Sequence, residues 1–402
     1  MVLALEGVRV LELVRVAPGA FCTRLLGDLG AEVVKVEDPQ TASAVRGREA
    51  LLRRSNLDRG KQSMVLDLKK PEAQEVLHRL AKRADVVVEG FRPGVAGRLG
   101  ADYPTLSALN PRLIYCSLSG YGQEGPYRDM PGHDINYLSI AGALDIIGER
   151  GGRPVIPLNI LADYASASLH GVIGILVALL VRERTGRGQY IDVSYTDGVL
   201  SLLGAVPTLW GVLLGGRNPR RGESSLGGAY PYYNVYETKD GGYISLGCIE
   251  HHFWENLCRA LGREDLLPYR ASPAHSAVPP EDGGWERALQ ELRAIFRTRT
   301  RREWFEFLRQ YDICVAPVQT FAEALEDPQV RHRGMVVEVE NPHLGRARLL
   351  NFPIRFSQAR SQVKGLAPRP GEQTRPLLHS LGYSPEEVRA LEGAGAAVAA
   401  EG

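Results

Sequence analysis

The chain has 402 residues, of which 44% are hydrophobic and 24% charged, as expected for a globular protein of two or more lobes. Its 48 Lys and Arg residues nearly balance its 47 Asp and Glu residues, so the net charge of +1 argues against a nucleic-acid-binding protein. Five cysteines without a CxxC pair argue against a disulfide framework or a zinc site and favour a reducing, cytoplasmic location.

The first 125 residues alternate between strand and helix patterns. We predict strands at 7–14, 31–39, 63–68, 84–91 and 112–122, and helices at 20–30 and 71–83. This alternation is typical of an α/β fold in which helices cover a parallel sheet. The first turn from strand to helix carries only Pro18-Gly19 in place of GxGxxG, which argues against a nicotinamide-dinucleotide enzyme.

The rest of the chain predicts one long core helix and a smaller α+β lobe. The helix runs from about Tyr164 to Arg184, and its apolar run is shorter than the roughly 20 residues that span a bilayer, so we expect no membrane anchor. A hairpin with its turn at 239–242 opens the smaller lobe, which continues with helices at 251–262, 284–300 and 301–312. We therefore predict a large domain at 1–220, a small α+β domain at 221–330, and a return segment at 331–402 that packs on the large domain and ends in a frayed tail.

Three side chains are candidates for acid/base chemistry. His133 lies in the irregular stretch PGHDINYLSIAG, and imidazole is the side chain whose ordinary pKa lies nearest neutrality; the alternative is a structural histidine. Asp163 lies where a helix is predicted to begin, so it is either an N-cap or a carboxylate beside unpaired N–H groups that could hold a developing oxyanion. Glu250 ends an apolar strand, where both catalytic and solvated carboxylates occur.

Basic residues concentrate between two predicted strands, at residues 46–63. This stretch is either a solvated charged loop or a seat for the phosphates of a large anionic ligand, with Arg46, Arg53 and Arg54 as candidate contacts. Arg92 follows another predicted strand, on the edge where α/β sheets bind ligands.

Several segments together resemble the class III CoA-transferase family, and more narrowly its α-methylacyl-CoA racemase branch. They include EGFRPGV, GHDINYLSIAG, PLNILADYA, GCIEHHFW and DICVAPV, and the resemblance runs from about residue 4 to residue 330. It implies a Rossmann-like large domain, a small domain and an interlocked homodimer whose active sites lie between the large domain of one chain and the small domain of the other.

The resemblance also implies an activity and its residues. The enzyme would interconvert (R)- and (S)-2-methylacyl-CoA thioesters by 1,1-proton transfer through an enolate, with coenzyme A as part of the substrate and without a metal or prosthetic group. His133 and Asp163 match the family's acid/base pair, and Glu250 matches a supporting glutamate. The family's CoA contacts match Val65, Leu66, Asp67, Leu68, Arg92, Gly132, Asp134, Asn136 and Tyr137. The alternative within the family is a CoA-transferase in which Asp163 is the nucleophile.

The chain departs from the racemase pattern at two places. Asp38 stands where the racemases commonly have an arginine, so Arg46, Arg53 or Arg54 is expected to supply that contact. Tyr230, His251 and His252 also differ from the family pattern, and we expect them to line the acyl pocket and to alter which acyl group is accepted.

Overall fold

The computed structural model describes residues 1–45, 47–269, 284–341 and 345–400. The chain divides into two compact units, the first formed by Met1–Tyr137, Asn159–Val199 and Asp327–Gly402, and the second by Leu138–Leu158 and Leu200–Glu326. Residues 138–158 and 200–220, assigned to the large domain from the sequence, thus fall in the second unit. One reason is that Arg221 binds the 138–158 segment, donating to the Asp145 carbonyl oxygen at 2.9 Å.

The strands are β1 Val2–Leu3, β2 Arg9–Leu13, β3 Glu32–Glu37, β4 Gln62–Leu66, β5 Val86–Glu89, β6 Ile114–Ser119, β7 Tyr190–Ser194, β8 Tyr233–Glu237, β9 Tyr243–Gly247, β10 Val315–Pro317, β11 Val336–Asn341, β12 Gly345–Leu350, β13 Ala359–Arg360 and β14 Ala397–Val398. The α-helices are α1 Ala17–Asp28, α2 Pro39–Ala44, α3 Gly47–Asp58, α4 Pro71–Ala81, α5 Val95–Arg98, α6 Tyr103–Leu109, α7 Asp134–Ile140, α8 Ala143–Ile146, α9 Leu169–Thr185, α10 Tyr195–Gly204, α11 Trp210–Leu213, α12 His251–Leu261, α13 Gly284–Phe296, α14 Arg301–Leu308, α15 Phe321–Glu326, α16 Pro328–His332, α17 Thr374–Ser380 and α18 Pro385–Gly393. A π-helix, Ile160–Ser168, leads directly into α9, and 3₁₀ turns lie at Pro207–Leu209 and Glu264–Tyr269.

The first unit is built on a seven-stranded sheet with the order β14-β4-β3-β2-β5-β6-β7. All neighbours are parallel except β14, which joins the edge of β4 antiparallel. The six parallel strands have the order of a doubly wound fold, which confirms the predicted α/β class with a parallel sheet. Ligands of such folds bind at the carboxyl ends of the strands, near the point where the strand order reverses.

The strands form where the sequence concentrates Val, Ile and Leu. All four residues of β5 and all six of β6 are buried, as expected of central strands covered on both faces. Helices α1 and α4 each have a proline in the first turn, where the missing N–H costs nothing.

The C-terminal end is ordered, so the predicted fraying of the tail at 393–400 is wrong. Ala396 and Ala397 are buried, and β14 pairs Ala397 with Leu66 and Val398 with Val65. The small side chains, which made the tail look featureless in the sequence, let it pack closely on the sheet edge.

The basic stretch forms helix α3, and the part of it that faces the sheet is not a solvated loop. Arg59 and Lys61 are buried: Arg59 binds Asp28 with two hydrogen bonds, and Lys61 lies 2.7 Å from the Glu12 carboxylate. Each buried cation therefore has a carboxylate partner, which buried charges require.

The second unit has an antiparallel sheet, β10-β9-β8, with the predicted hairpin between β8 and β9. Its core includes the fully buried side chains of Trp254, Tyr236 and Phe296, contributed by α12, β8 and α13. Tyr230 also belongs to this core, since it is buried, stacks on Tyr232 and meets the ring of Trp285 edge-on. The expectation that Tyr230 lines an acyl pocket is therefore wrong.

The helical stretch Ile160–Thr185 begins earlier than predicted and is wound as a π-helix over its first nine residues. By length and composition it could cross a membrane, but core helices of water-soluble proteins meet the same criteria. One face of α9 packs on the sheet, because a Cβ added at Gly171 would lie 3.1 Å from Leu118 and 3.2 Å from Cys22.

Candidate active site

His133 lies on an exposed turn at the start of α7. Its backbone N–H donates to the Asn136 side chain at 3.0 Å, and the Asn136 N–H donates back to the His133 carbonyl at 2.8 Å. These reciprocal bonds fix the backbone of the turn and leave the imidazole at the surface of the first unit.

Asp163 lies in the first turn of the π-helix, not at its N-cap. The N-cap is Asn159, whose side-chain amide donates to the Asp163 carboxylate at 3.0 Å. The residue before it, Leu158, has φ +58°, a left-handed conformation that leucine rarely adopts. Backbone strain and π-helical turns both concentrate at functional sites.

Asp134 connects the His133 turn to the Asp163 helix. Its Oδ2 accepts the N–H groups of Ala162 and Asp163, each at 2.9 Å. The sequence suggested that N–H groups at this helix start hold a substrate oxyanion. In the structure, two of these N–H groups donate to the Asp134 carboxylate instead.

The Asp163 carboxyl is tuned by its surroundings. Partial burial is the largest effect and raises its pKa above the usual value, and the Asp134 charge raises it further. The hydrogen bond from Asn159 and the His133 imidazole lower it, but the net pKa stays raised. The His133 charge acts on the Asp163 carboxyl, and Asp134, the residue after His133, binds the Asp163 N–H, so the two segments are neighbours in the first unit.

Tyr137 lies near this site, since the charges of Asp163 and Asp134 act on its phenol. Its hydroxyl donates to the Gly132 carbonyl at 2.5 Å, and burial raises its pKa to about 12, so the phenol stays protonated. A Cβ at Gly120 would lie 2.1 Å from the Tyr137 ring, and one at Gly132 would lie 2.7 Å from it. Both glycines are therefore needed for the ring to pack here.

Arg92 is exposed, just beyond β5, and its charge acts on Tyr137. The turn that carries it is held from below by Glu89, a buried carboxylate that accepts the Phe91 N–H at 2.7 Å and the hydroxyl of Ser117. Burial raises the pKa of Glu89.

A cavity of about 450 Å³ opens at the carboxyl ends of β2, β3 and β4. Of the predicted CoA contacts, Leu66, Asp67 and Leu68 line it, whereas Val65 is buried in the sheet, where its N–H donates to Thr374 Oγ1 at 3.1 Å. The basic side chains in its lining are Arg15, Lys35, Arg54 and Lys69.

The arginines expected to replace the family arginine differ in their surroundings. Arg54 lines the cavity, but its guanidinium already binds Glu37 at 2.9 Å and Asp58 at 3.1 Å. Arg53 is 78% exposed and pairs with Glu49 on its own helix. Arg46 lies outside the described residues.

Asp38, at the family arginine's position, caps α2 and binds a different arginine. Its carboxylate accepts the Thr41 N–H at 3.0 Å and lies 3.2 Å from Arg15 Nε. Partial burial raises the pKa of Asp38, but the Thr41 hydrogen bonds and Arg15 outweigh it, so the pKa lies below its usual value. Asp38 therefore stays ionised and holds Arg15 beside the cavity.

Glu250 lies in the second unit, where it is exposed at the N-cap of α12. Burial raises the pKa of the Cys314 thiol, and the Glu250 charge raises it further. His251 and His252 begin α12 and are exposed. Within the described ranges, no group of three His, Cys, Asp or Glu side chains is arranged to hold a metal ion.

Asn159 was not predicted from the sequence, and although Asp134 was expected to fix the His133 loop, its bond to the Asp163 helix was not predicted. Asn159 lies four residues before Asp163, a spacing that brings two side chains to one face of a helix, so it could have been found had the helix been predicted to start earlier. No sequence pattern indicates that Asp134 accepts the N–H of Ala162, which lies 28 residues further along the chain.

Comparisons with known proteins show the family of the chain. The sequence model of CoA-transferase family III matches residues 5–374. Human alpha-methylacyl-CoA racemase is 38% identical over 398 residues, covering 97% of this chain and 96% of the relative, and an Escherichia coli formyl-CoA:oxalate CoA-transferase is 32% identical over 415 residues, covering 96% and 98%. A CAIB/BAIF family protein from Brucella suis has a solved structure that matches with a TM-score of 0.80 at 29% identity, covering 95% of this chain and 100% of that one. The chain belongs to CoA-transferase family III.

Proposed function

We propose that this protein is a racemase that interconverts (R)- and (S)-2-methylacyl-CoA thioesters. The observation that supports it most is that Asp134 joins the His133 turn to the Asp163 helix, where burial raises the pKa of the Asp163 carboxyl above its usual value. The 38% identity to human alpha-methylacyl-CoA racemase, over nearly the whole length of both chains, supports the same reaction.

Inversion at one carbon requires two proton carriers. A single base that returned its proton to the same face would leave the configuration unchanged, so one group takes the proton and another delivers one to the opposite face. We assign these roles to His133 and Asp163, which exchange them in the reverse direction. The enolate between the two steps carries charge on the thioester oxygen, which a site that excludes water stabilises best.

We assign the CoA moiety to the carboxyl edge of the sheet, with its nucleotide end in the 450 Å³ cavity. Arg15 and Lys69 line this cavity and are exposed, which suits contacts to phosphates. Arg92, beside Tyr137, lies on the same edge and is assigned to the pantetheine side. In this proposal Arg15, held by Asp38, takes the place of the family arginine, since Arg54 is bound to two carboxylates.

The alternative is a CoA-transferase with Asp163 as nucleophile, which the 32% identity to formyl-CoA:oxalate CoA-transferase keeps open. The nearby His133 favours the racemase, because inversion needs a second proton carrier, whereas CoA transfer through an Asp163 anhydride does not.

The test uses one enantiomer of a 2-methylacyl-CoA in deuterated water. We expect α-deuterium incorporation by mass spectrometry together with formation of the other enantiomer by chiral analysis. His133→Ala and Asp163→Ala should each abolish interconversion while CoA affinity stays within a few fold. Absence of exchange with every branched thioester, combined with CoA transfer to a free acid and hydroxylamine trapping at Asp163, would establish the transferase instead.

We further propose that the chain acts as the homodimer implied by its family, with Glu250 supporting the acid/base pair. An exposed apolar stripe on α9 supports a partner surface: Leu169, Ile173, Val177 and Leu180 recur every three to four residues, and Leu180 is 65% exposed. Ile173→Lys should shift the mass measured by light scattering from dimer to monomer, whereas Thr185→Lys, elsewhere on the same helix, should not. A monomeric native protein would contradict the dimer. The cytoplasmic location and the absence of a prosthetic group stay predictions.

A further inference from the structure

Asp134 is the residue that joins the two segments carrying the candidate acid/base pair. Its backbone directly follows His133, and its Oδ2 accepts the N–H groups of Ala162 and Asp163. These N–H groups belong to the first turn of the π-helix, where the backbone donors have no carbonyl of their own helix to bind. One carboxylate oxygen therefore ties the His133 turn to the Asp163 helix.

The surroundings of the Asp134 side chain indicate that it supports the protein backbone. The residue is only 6% exposed, and both of its hydrogen bonds are to the protein backbone. Its second oxygen, Oδ1, is buried and has no hydrogen-bond partner among the described residues. Asp134 Oδ2 is therefore committed to the backbone of the Asp163 segment.

We propose that the Asp134 side chain is a positioning group that fixes the separation between His133 and Asp163 through its bonds to the π-helix. The inference rests on the proposed racemase function, because a fixed separation matters when two groups must act on opposite faces of one carbon. Displacement of a catalytic group by about 1 Å can cost about 100-fold in rate, so the loss of this bridge should appear in kcat and not in KM.

Asp134 also has an electrostatic effect on its neighbour. The groups that shift the Asp163 pKa are the Asn159 amide, the Asp134 carboxylate and the His133 imidazole. The Asp163 charge in turn raises the pKa of two phenols, Tyr137 in α7 and Tyr195 in α10. After burial, Asp134 is the neighbour that raises the Asp163 pKa. Neutralising Asp134 should therefore lower that pKa.

The experiment compares Asp134→Asn and Asp134→Ala with Asp327→Asn. Asp327 is a matched control because its carboxylate also accepts two backbone N–H groups at a helix start, those of Gln329 and Val330 in α16. Asn at position 134 keeps one acceptor oxygen and removes the charge, whereas Ala removes both. The readouts are kcat, KM, the pH profile of kcat/KM and the thermal unfolding temperature.

We expect Asp134→Ala to lower kcat by about 100-fold with KM within about threefold, and Asp134→Asn to lower kcat by about tenfold or less. The pH profile of kcat/KM is compared for the reaction direction in which Asp163 accepts the proton. Because Asp134→Asn lowers the Asp163 pKa, the acid limb of the profile should move to lower pH in that variant and stay in place in Asp327→Asn. An unmoved limb in Asp134→Asn, or a KM raised more than tenfold with kcat unchanged, would overturn the positioning role.

A second readout does not depend on turnover. The ¹³C resonance of the Asp163 carboxyl, identified by its loss in Asp163→Asn, should titrate at lower pH in Asp134→Asn than in the native protein. If the native protein exchanges no α-proton, the proposed function fails, and this titration still decides whether Asp134 acts on Asp163. An unchanged titration would contradict the inference.

Discussion

Replacing Gly198 by alanine should displace the segment that carries Asp163. A Cβ at Gly198 would lie 2.0 Å from Ser166 Oγ, 2.8 Å from His170 Nδ1 and 3.0 Å from Ser166 Cβ. To restore a separation of 3.0 Å, the Ser166 hydroxyl must move by about 1 Å, and it then loses its hydrogen bond to the Tyr195 carbonyl, now 2.6 Å long. Ser166 lies in the π-helix three residues after Asp163, so this movement reaches the site.

Two opposing effects set the magnitude. Alanine in a helix gains about 1 kcal/mol over glycine, but overpacking costs about 1–3 kcal/mol and the lost hydrogen bond about 1 kcal/mol. The net result is a destabilisation of about 1–3 kcal/mol. Gly204 is the matched control, because it lies in the same helix, α10, and a Cβ there meets nothing within 4 Å.

The assays are chemical denaturation and racemase activity. Gly198→Ala should lower the free energy of unfolding and reduce kcat by at least about tenfold, whereas Gly204→Ala should leave kcat unchanged and raise stability by up to about 1 kcal/mol. Equal behaviour of the two variants would refute the contact between α10 and the Asp163 segment.

Three further predictions concern buried charge and the C-terminal strand. Lys61→Met should lower the free energy of unfolding by about 3 kcal/mol, because the fully buried Glu12 then keeps Lys35 alone as a cationic partner among the described residues; a change of less than about 0.5 kcal/mol would contradict this. Asp163→Asn should raise the thermal unfolding temperature at pH 8 but not at pH 3. A carboxyl whose pKa is raised in the folded protein destabilises the fold only at a pH above its pKa in the unfolded chain. An equal change at both pH values would argue against the raised pKa. Ala397→Asp should cost more than about 2 kcal/mol in urea denaturation, because the carboxylate would be buried in β14 without a partner, and full tolerance would mean that the strand is not docked.

The sequence predicted the sheet well because its strands are short, rich in β-branched residues and bounded by Gly or Pro. It failed at the tail, where small residues that look disordered in the sequence are buried against β4. It also failed at the basic stretch, because Arg59 and Lys61 find their carboxylate partners only after folding brings Asp28 and Glu12 to them.

The candidate pair was predicted from residue type and family resemblance, and its role in catalysis stays a prediction. Its surroundings were not predicted, because they depend on contacts between distant segments. The bond from the Ala162 N–H to Asp134 and the bond from the Asn159 amide to the Asp163 carboxylate depend on where the π-helix starts, which periodicity places only to within a few residues.

The most direct test of the two-base reaction measures α-deuterium exchange separately for each enantiomer in His133→Ala and Asp163→Ala. We expect neither variant to interconvert the enantiomers. Each should still exchange the α-proton of one enantiomer, through its remaining base, and the two variants should retain exchange of opposite enantiomers. Two results would contradict the assignment of His133 and Asp163 to opposite faces of the substrate. One is that both variants exchange the α-proton of the same enantiomer, and the other is that either variant interconverts the enantiomers.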